Sequence, residues 1–151
     1  MTKAKQIGIL LILCFIASCD TVYFNPIPYA PVNFKIYLSG EDIDLVGSTK
    51  SKLFVKPRSV GESVGFGGLL VYNVEGSGSD LFYVYDLTCP HEANRSIKVA
   101  VVETIYAKCP TCGSKFEIYS GIGNPISGPS KYSLKRYTGI SISGNIVTIY
   151  N

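Results

Sequence analysis

The sequence predicts an all-β domain, a barrel or sandwich of nine or ten short strands. Apolar and polar residues alternate from Val32 to Leu38, with Val32, Phe34, Ile36 and Leu38 on one face and Asn33, Lys35 and Tyr37 on the other. That is the two-residue period of a half-buried strand. Short runs rich in β-branched and aromatic residues then recur, punctuated by glycine, proline, asparagine and serine. No stretch combines a sustained helical period with caps.

Residues 1–18 stand apart from that pattern. Lys3 and Lys5 form a positive leader, Ile7 to Phe15 a short apolar run, and Ile16-Ala17-Ser18 a small-residue exit. This is the layout of a cleaved export signal, too short to span a membrane comfortably, which takes roughly 20 residues. Ile-Ala-Ser-Cys resembles the bacterial lipobox, which implies that Cys19 is lipidated and becomes the first residue of the mature chain. Cys14 is the poorer candidate because Leu13 before it is large. Residues 19–31 carry three prolines and no periodicity, and read as a semi-rigid tether. The domain is expected over residues 32–151, anchored to a membrane of a bacterial cell envelope.

Within the domain, Leu53 to Lys56 is a short second strand ended by Pro57. The glycine-rich run 60–68 (VGESVGFGG) reads as a hairpin or bulge loop, since no helix or lysine follows to make it a phosphate cradle. Leu69 to Val74 and Leu81 to Leu87 form a hairpin across the flexible turn 75–80. Ile97 to Val102 and Thr104 to Ala107 make a further pair, and Lys115 to Tyr119 another strand. Residues 121–129 (GIGNPISGP) are too rich in glycine and proline for a regular element. Leu134 to Tyr137, Ile140 to Ser143 and Ile146 to Tyr150 close the domain, the last two joined by the two-residue turn Gly144-Asn145.

Charge excludes one class of function. The full chain has 14 basic and 11 acidic residues. Loss of Lys3 and Lys5 with the leader leaves 12 against 11, a net charge near +1 with no basic run. Nothing here supports nucleic-acid binding. The acidic group Glu41, Asp42 and Asp44 reads as a solvated loop, lacking the glycine and distal glutamate of a calcium loop.

Two short stretches carry the chemistry: Cys89-Pro90-His91 and, after seventeen residues, Cys109-Pro110-Thr111-Cys112-Gly113. They contain three thiols and the only histidine, the donors that soft and borderline metals select. With Cys19 lipidated, three cysteines remain. A pure disulfide framework would leave one over, whereas three thiols and an imidazole make a complete four-ligand set. A metal or cluster site is the first expectation.

The second loop and its flanks, CPTCGSKF followed by GNPISGPSKYSLKRY, resemble the cluster-binding half of a Rieske iron–sulfur domain. That family pairs a C-x-H loop with a C-x-x-H-G-S-x-F/Y loop on an antiparallel β-sandwich or barrel. Cys89 to His91 match the first loop, and Gly113, Ser114, Phe116, Gly128 and Pro129 match positions in or beyond the second. The resemblance covers nearly the whole domain. It implies a [2Fe–2S] cluster, with Cys89 and Cys109 on the inner iron and His91 with Cys112 on the outer. Cys112 replaces the family's second histidine.

An added thiolate stabilises the oxidised cluster, so the expected potential falls below the usual Rieske range of about −150 to +300 mV. Phe116 points the same way, because high-potential relatives carry a tyrosine there that hydrogen-bonds a ligand sulfur. Ser114 remains able to donate to a bridging sulfide. The implied role is a membrane-anchored electron carrier with an unidentified redox partner, more than a stand-alone enzyme.

Zinc is the alternative cofactor, since C-P-x-C-G is equally a zinc-ribbon knuckle and three Cys with one His a closed zinc set. A disulfide between Cys109 and Cys112 is a further alternative. The signal lacks a twin arginine, and a chain exported unfolded would arrive without a cluster. Tyr29 and Tyr132 are candidate partner contacts, and Glu92 a candidate neighbour for the imidazole.

Overall fold

The computed structural model describes residues 24–74 and 82–151. The leader, Cys14, Cys19, residues 20–23 of the tether and the 75–80 turn lie outside the described residues. In chain order the strands are β1 (Val32–Tyr37), β2 (Ser51–Phe54), β3 (Ser63–Val64), β4 (Leu69–Asn73), β5 (Phe82–Asp86) and β6 (Ala100–Val102). They continue with β7 (Tyr106–Lys108), β8 (Lys115–Glu117), β9 (Pro125–Ser127), β10 (Arg136–Tyr137), β11 (Gly139–Ser143) and β12 (Ile146–Tyr150). Among the described residues they form three four-stranded sheets, ordered β11-β12-β1-β3, β10-β5-β4-β2 and β6-β7-β8-β9. Every pairing among the described residues is antiparallel. The fold is all-β, as the sequence predicts, and among the described residues no helix is long and apolar enough to cross a membrane.

The alternation in β1 puts Val32, Phe34 and Ile36 inside, where Phe34 faces Ile149 and Ile36 faces Val147 of β12. These side chains meet Leu69, Val71, Phe82 and Val84 of the second sheet in one core. The opposite face of that sheet, Leu70, Tyr72 and Tyr85, builds a second core with Ala107 and Phe116 of the third sheet. Apolar burial on both faces explains why β4 reads LLVYN with every residue buried. Cys89 and Cys109 belong to the second core, so the two cysteine-bearing loops are rooted in packed structure.

Three local expectations differ from the structure. Residues 125–127 form β9 despite their composition: it is a short strand on the sheet edge, with Pro125 at its first position and a register shift between Lys115 and Phe116 opposite. Proline is tolerated at the start of an edge strand, where the ladder does not need its missing N–H. The glycine-rich run contains β3, which pairs Val64 with Val32. Thr104 is a turn residue. With Glu103 it has positive φ (65° and 50°), and these two left-handed residues close the β6–β7 hairpin. The Gly144-Asn145 turn is found as expected, joining Ser143 and Ile146 as a register pair.

Residues 24–31 lie along the domain. Ile27 is buried, Lys135 Nζ donates to Pro28 O at 2.8 Å, and Asn151 Nδ2 donates to Ala30 O at 2.9 Å.

The acidic group 41–44 is not simply solvated. Asp42 is fully buried, while Lys52 and Arg58 reach it at 3.1 and 3.0 Å and the Tyr37 amide donates to it at 2.9 Å. Arg58 in turn stacks 4.7 Å above the Phe34 ring, tying the group to the first core. Burial acts to raise the Asp42 pKa, but hydrogen bonds from Tyr37, Arg58 and Lys52 outweigh it and hold the carboxyl below its ordinary 3.8. A carboxyl depressed in the folded state stabilises fully above its unfolded pKa, and that contribution disappears as pH falls through the folded value. The urea midpoint should therefore drop on acidification below about pH 4, and Asp42→Asn should flatten that part of the profile. An unchanged acid limb in the variant would remove Asp42 from the acid response.

Candidate metal centre

Both loops fold into the same turn. The Cys89 carbonyl accepts from Ala93 N at 2.9 Å, and the Cys109 carbonyl from Gly113 N at 3.1 Å, each closing over five residues. The fifth residue has positive φ in both, 48° at Ala93 and 75° at Gly113. Glycine suits that conformation, and alanine is strained there by roughly 1–2 kcal/mol. The amides at the turn starts are also held, Cys89 N by Ile97 O and Cys109 N by Ser114 O.

These turns bring three of the expected ligands together. The sulfurs of Cys89, Cys109 and Cys112 lie within 4.8 Å of one another, and Cys89 Sγ is 3.6 Å from Cys112 Sγ. Cys89 and Cys109 are fully buried and Cys112 half-buried, all as free thiols. His91 is exposed, and its ring nitrogens stand outside the sulfur group. The matched turns explain this. The residue two after the leading cysteine, His91 or Thr111, points outward, whereas the residue three after it, Glu92 or Cys112, is half-buried.

Ser114 is buried beside Cys112. Its hydroxyl oxygen accepts from Ser130 N at 3.0 Å and lies 3.1 Å from Cys112 Sγ. The Gly128-Pro129 loop closes against the same residue: a Cβ at Gly128 would stand 2.4 Å from Ser114 Cα, so only glycine fits. Phe116 is fully buried in the second core and offers no donor. The Tyr85 hydroxyl, in the same core, donates to Ile118 O at 3.1 Å.

The sulfurs differ electrostatically. Burial pushes the Cys89 thiol up to about 12, against opposing hydrogen bonds from the backbone of Glu92 and His91. Burial also acts to raise Cys112, but its Ser114 hydrogen bonds and the Cys109 and Cys89 thiols prevail, leaving it below the ordinary thiol value. An open groove of about 520 Å³, lined by Ala100, Val102, Lys108 and Thr111, gives Cys112 access to solvent.

The donor set fits a soft metal. Thiolates bound to one tetrahedral ion at about 2.3 Å stand about 3.8 Å apart, close to the observed 3.6 Å between Cys89 and Cys112. Buried sulfurs from two separately anchored loops need little ordering on binding, which favours affinity.

One residue of the site's framework was missed in the sequence. Asp86, at the end of β5, is fully buried and accepts from Thr88 N at 2.8 Å, just before Cys89. Its only signal is a carboxylate closing the otherwise apolar FYVYD strand. Tyr29 and Tyr132, considered as partner contacts, are both exposed.

No protein-family model matches the chain, and neither does any curated protein. Among solved structures it is similar to the Sphingomonas yanoikuyae B1 ferredoxin, at 18% identity and a TM-score of 0.45, over 82% of this chain and 99% of that one. An overlap of that size carries no functional assignment, and the chemistry of the site rests on the sulfur geometry.

Proposed function

We propose that this chain is an electron-transfer protein whose two loops hold a [2Fe–2S] cluster through Cys89, Cys109, Cys112 and His91, as in a Rieske-like domain. The observation that carries it is the convergence of three sulfurs, from two loops of matching turn geometry, within 4.8 Å. When bound, such a cluster supplies reversible one-electron transfer. Cys89 and Cys109, sealed in the second core, would hold the inner side away from water. Cys112 would hold the outer side together with His91, whose exposed ring would have to turn in toward the sulfurs on binding, and the exposed turn would give a redox partner access. The Ser114 hydroxyl, 3.1 Å from Cys112 Sγ, would donate a hydrogen bond to that sulfur once it is a bound thiolate. Lipidation of Cys19 would keep the domain on a membrane of a bacterial cell envelope.

A single zinc ion is the second reading, favoured by the 3.6 Å separation of Cys89 and Cys112, which suits two ligands of one ion. Anaerobic purification separates the two readings. A cluster gives a red-brown protein with iron and acid-labile sulfide in equal amounts; colourless protein with one zinc per chain would overturn it. Fractionation of the same cells tests the anchor, since Cys19→Ala should move the protein from membrane to soluble fraction, and persistent attachment would refute lipidation.

A further inference from the structure

The sulfur arrangement has a property that does not depend on which metal fills it. Cys89 Sγ and Cys112 Sγ are 3.6 Å apart, so about 1.5 Å of approach brings them to disulfide length. They sit on different loops and differ in access: Cys89 is fully buried, while Cys112 is half-buried beside the open groove. Attack from solvent can therefore begin at Cys112, with Cys89 as the adjacent sulfur beneath it.

We propose that, in the metal-free chain, Cys89 and Cys112 form a reversible inter-loop disulfide that shuts the site to metal. The oxidant is a small-molecule disulfide. The Cys112 thiolate attacks one of its sulfurs, giving a mixed disulfide on Cys112 and releasing one small thiol. The Cys89 sulfur then attacks Cys112 Sγ, forming the protein disulfide and releasing the second thiol. Two protein thiols lose two electrons and two protons in total, and the oxidant gains both.

The bond would take two of the three sulfurs out of ligation and tie the first turn to the second. A Cys109–Cys112 bond would instead lie within one turn, leaving Cys89 free and the two loops unlinked. Reduction by a dithiol reverses the step and restores all three donors. The site would thus accept metal only in its reduced state.

The test uses the full chain in detergent, stripped of metal under reductant, freed of reductant without oxygen, and exposed to oxidised glutathione. Remaining thiols are alkylated and the chain is cut with trypsin, which places Cys89 in peptide 59–95 and the other two cysteines of the site, Cys109 and Cys112, in peptide 109–115. The expected product links these two peptides through Cys89 and Cys112, with Cys109 alkylated. Co²⁺ added to the oxidised chain should give no thiolate charge-transfer absorption until dithiothreitol is added. A bond within peptide 109–115, glutathione left unresolved on Cys112, full alkylation of all three thiols, or unchanged Co²⁺ binding would each overturn the proposal. A chain that loads iron and sulfide but never forms the bond would leave the cluster reading standing. Formation of the bond in a chain that, when reduced, takes up no metal would do the reverse.

Discussion

Cys109→Ala is expected to reduce the metal content of the purified chain to background while leaving it folded. Cys109 Sγ belongs to the sulfur group, and losing one of three thiolates removes about a third of the soft donors the loops present. Outer-shell changes alone commonly weaken metal sites about 10–100-fold, and loss of a direct ligand should exceed that. The fold should tolerate the change. Cys109 is packed among Leu87, Ala107 and Phe116, and alanine removes one sulfur atom without burying a polar group.

Cys112→His provides the contrast. It keeps a donor at the half-buried position, so metal should be retained. If the metal is a [2Fe–2S] cluster, replacing an anionic thiolate with a neutral imidazole should raise the reduction potential toward the Rieske range of about −150 to +300 mV. Metal analysis with circular dichroism checks the first variant, and protein-film voltammetry the second. Full metal content in folded Cys109→Ala would exclude the three-sulfur site. An unchanged potential in Cys112→His would remove Cys112 from the ligands.

The parts of this fold that could be read from sequence are those where local pattern and tertiary environment agree. Val32 to Tyr37 alternates because β1 has one core face and one wet face, and Gly144-Asn145 closes a two-residue hairpin. Asp42 could not be read as buried, because its partners Lys52 and Arg58 are 10 and 16 residues away and only folding brings them together. The short strands β3 and β9 were hidden for the same reason: glycine and proline there signal loops, and strand identity comes from the neighbouring edge. In the candidate metal centre, the three thiols were legible from their spacing. The outward position of His91 was not, because C-x-H and C-x-x-C place their second residue on different sides of the same five-residue turn.

Asp86→Ala should destabilise the domain by about 4 kcal/mol, near the limit for single substitutions. The Asp86 carboxylate accepts from Phe66 N at 2.8 Å, Gly67 N at 3.1 Å, Thr88 N at 2.8 Å and the Tyr137 hydroxyl at 2.7 Å. One buried side chain thus joins the glycine-rich run, the end of β5 and β10. Burial and the neighbouring Asp86 charge push the Tyr137 phenol upward, so it stays protonated and donating. Truncation leaves those donors unpaired, at about 1–3 kcal/mol for each one that stays buried, less where water or a shift of the loop recovers a partner. The tight backbone allows little shift, since a Cβ on Gly67 would already lie 2.1 Å from Thr88 Oγ1. Asp86→Asn, which keeps one carbonyl acceptor but turns an NH₂ toward donors, should lose about half as much. Because Thr88 directly precedes Cys89, the alanine variant should also bind metal about tenfold more weakly under conditions where it remains folded. Urea unfolding followed by circular dichroism measures the first effect, and competition against a chelator the second. A stability loss below about 1 kcal/mol would mean that the carboxylate is not what holds the glycine-rich run against the Cys89 loop.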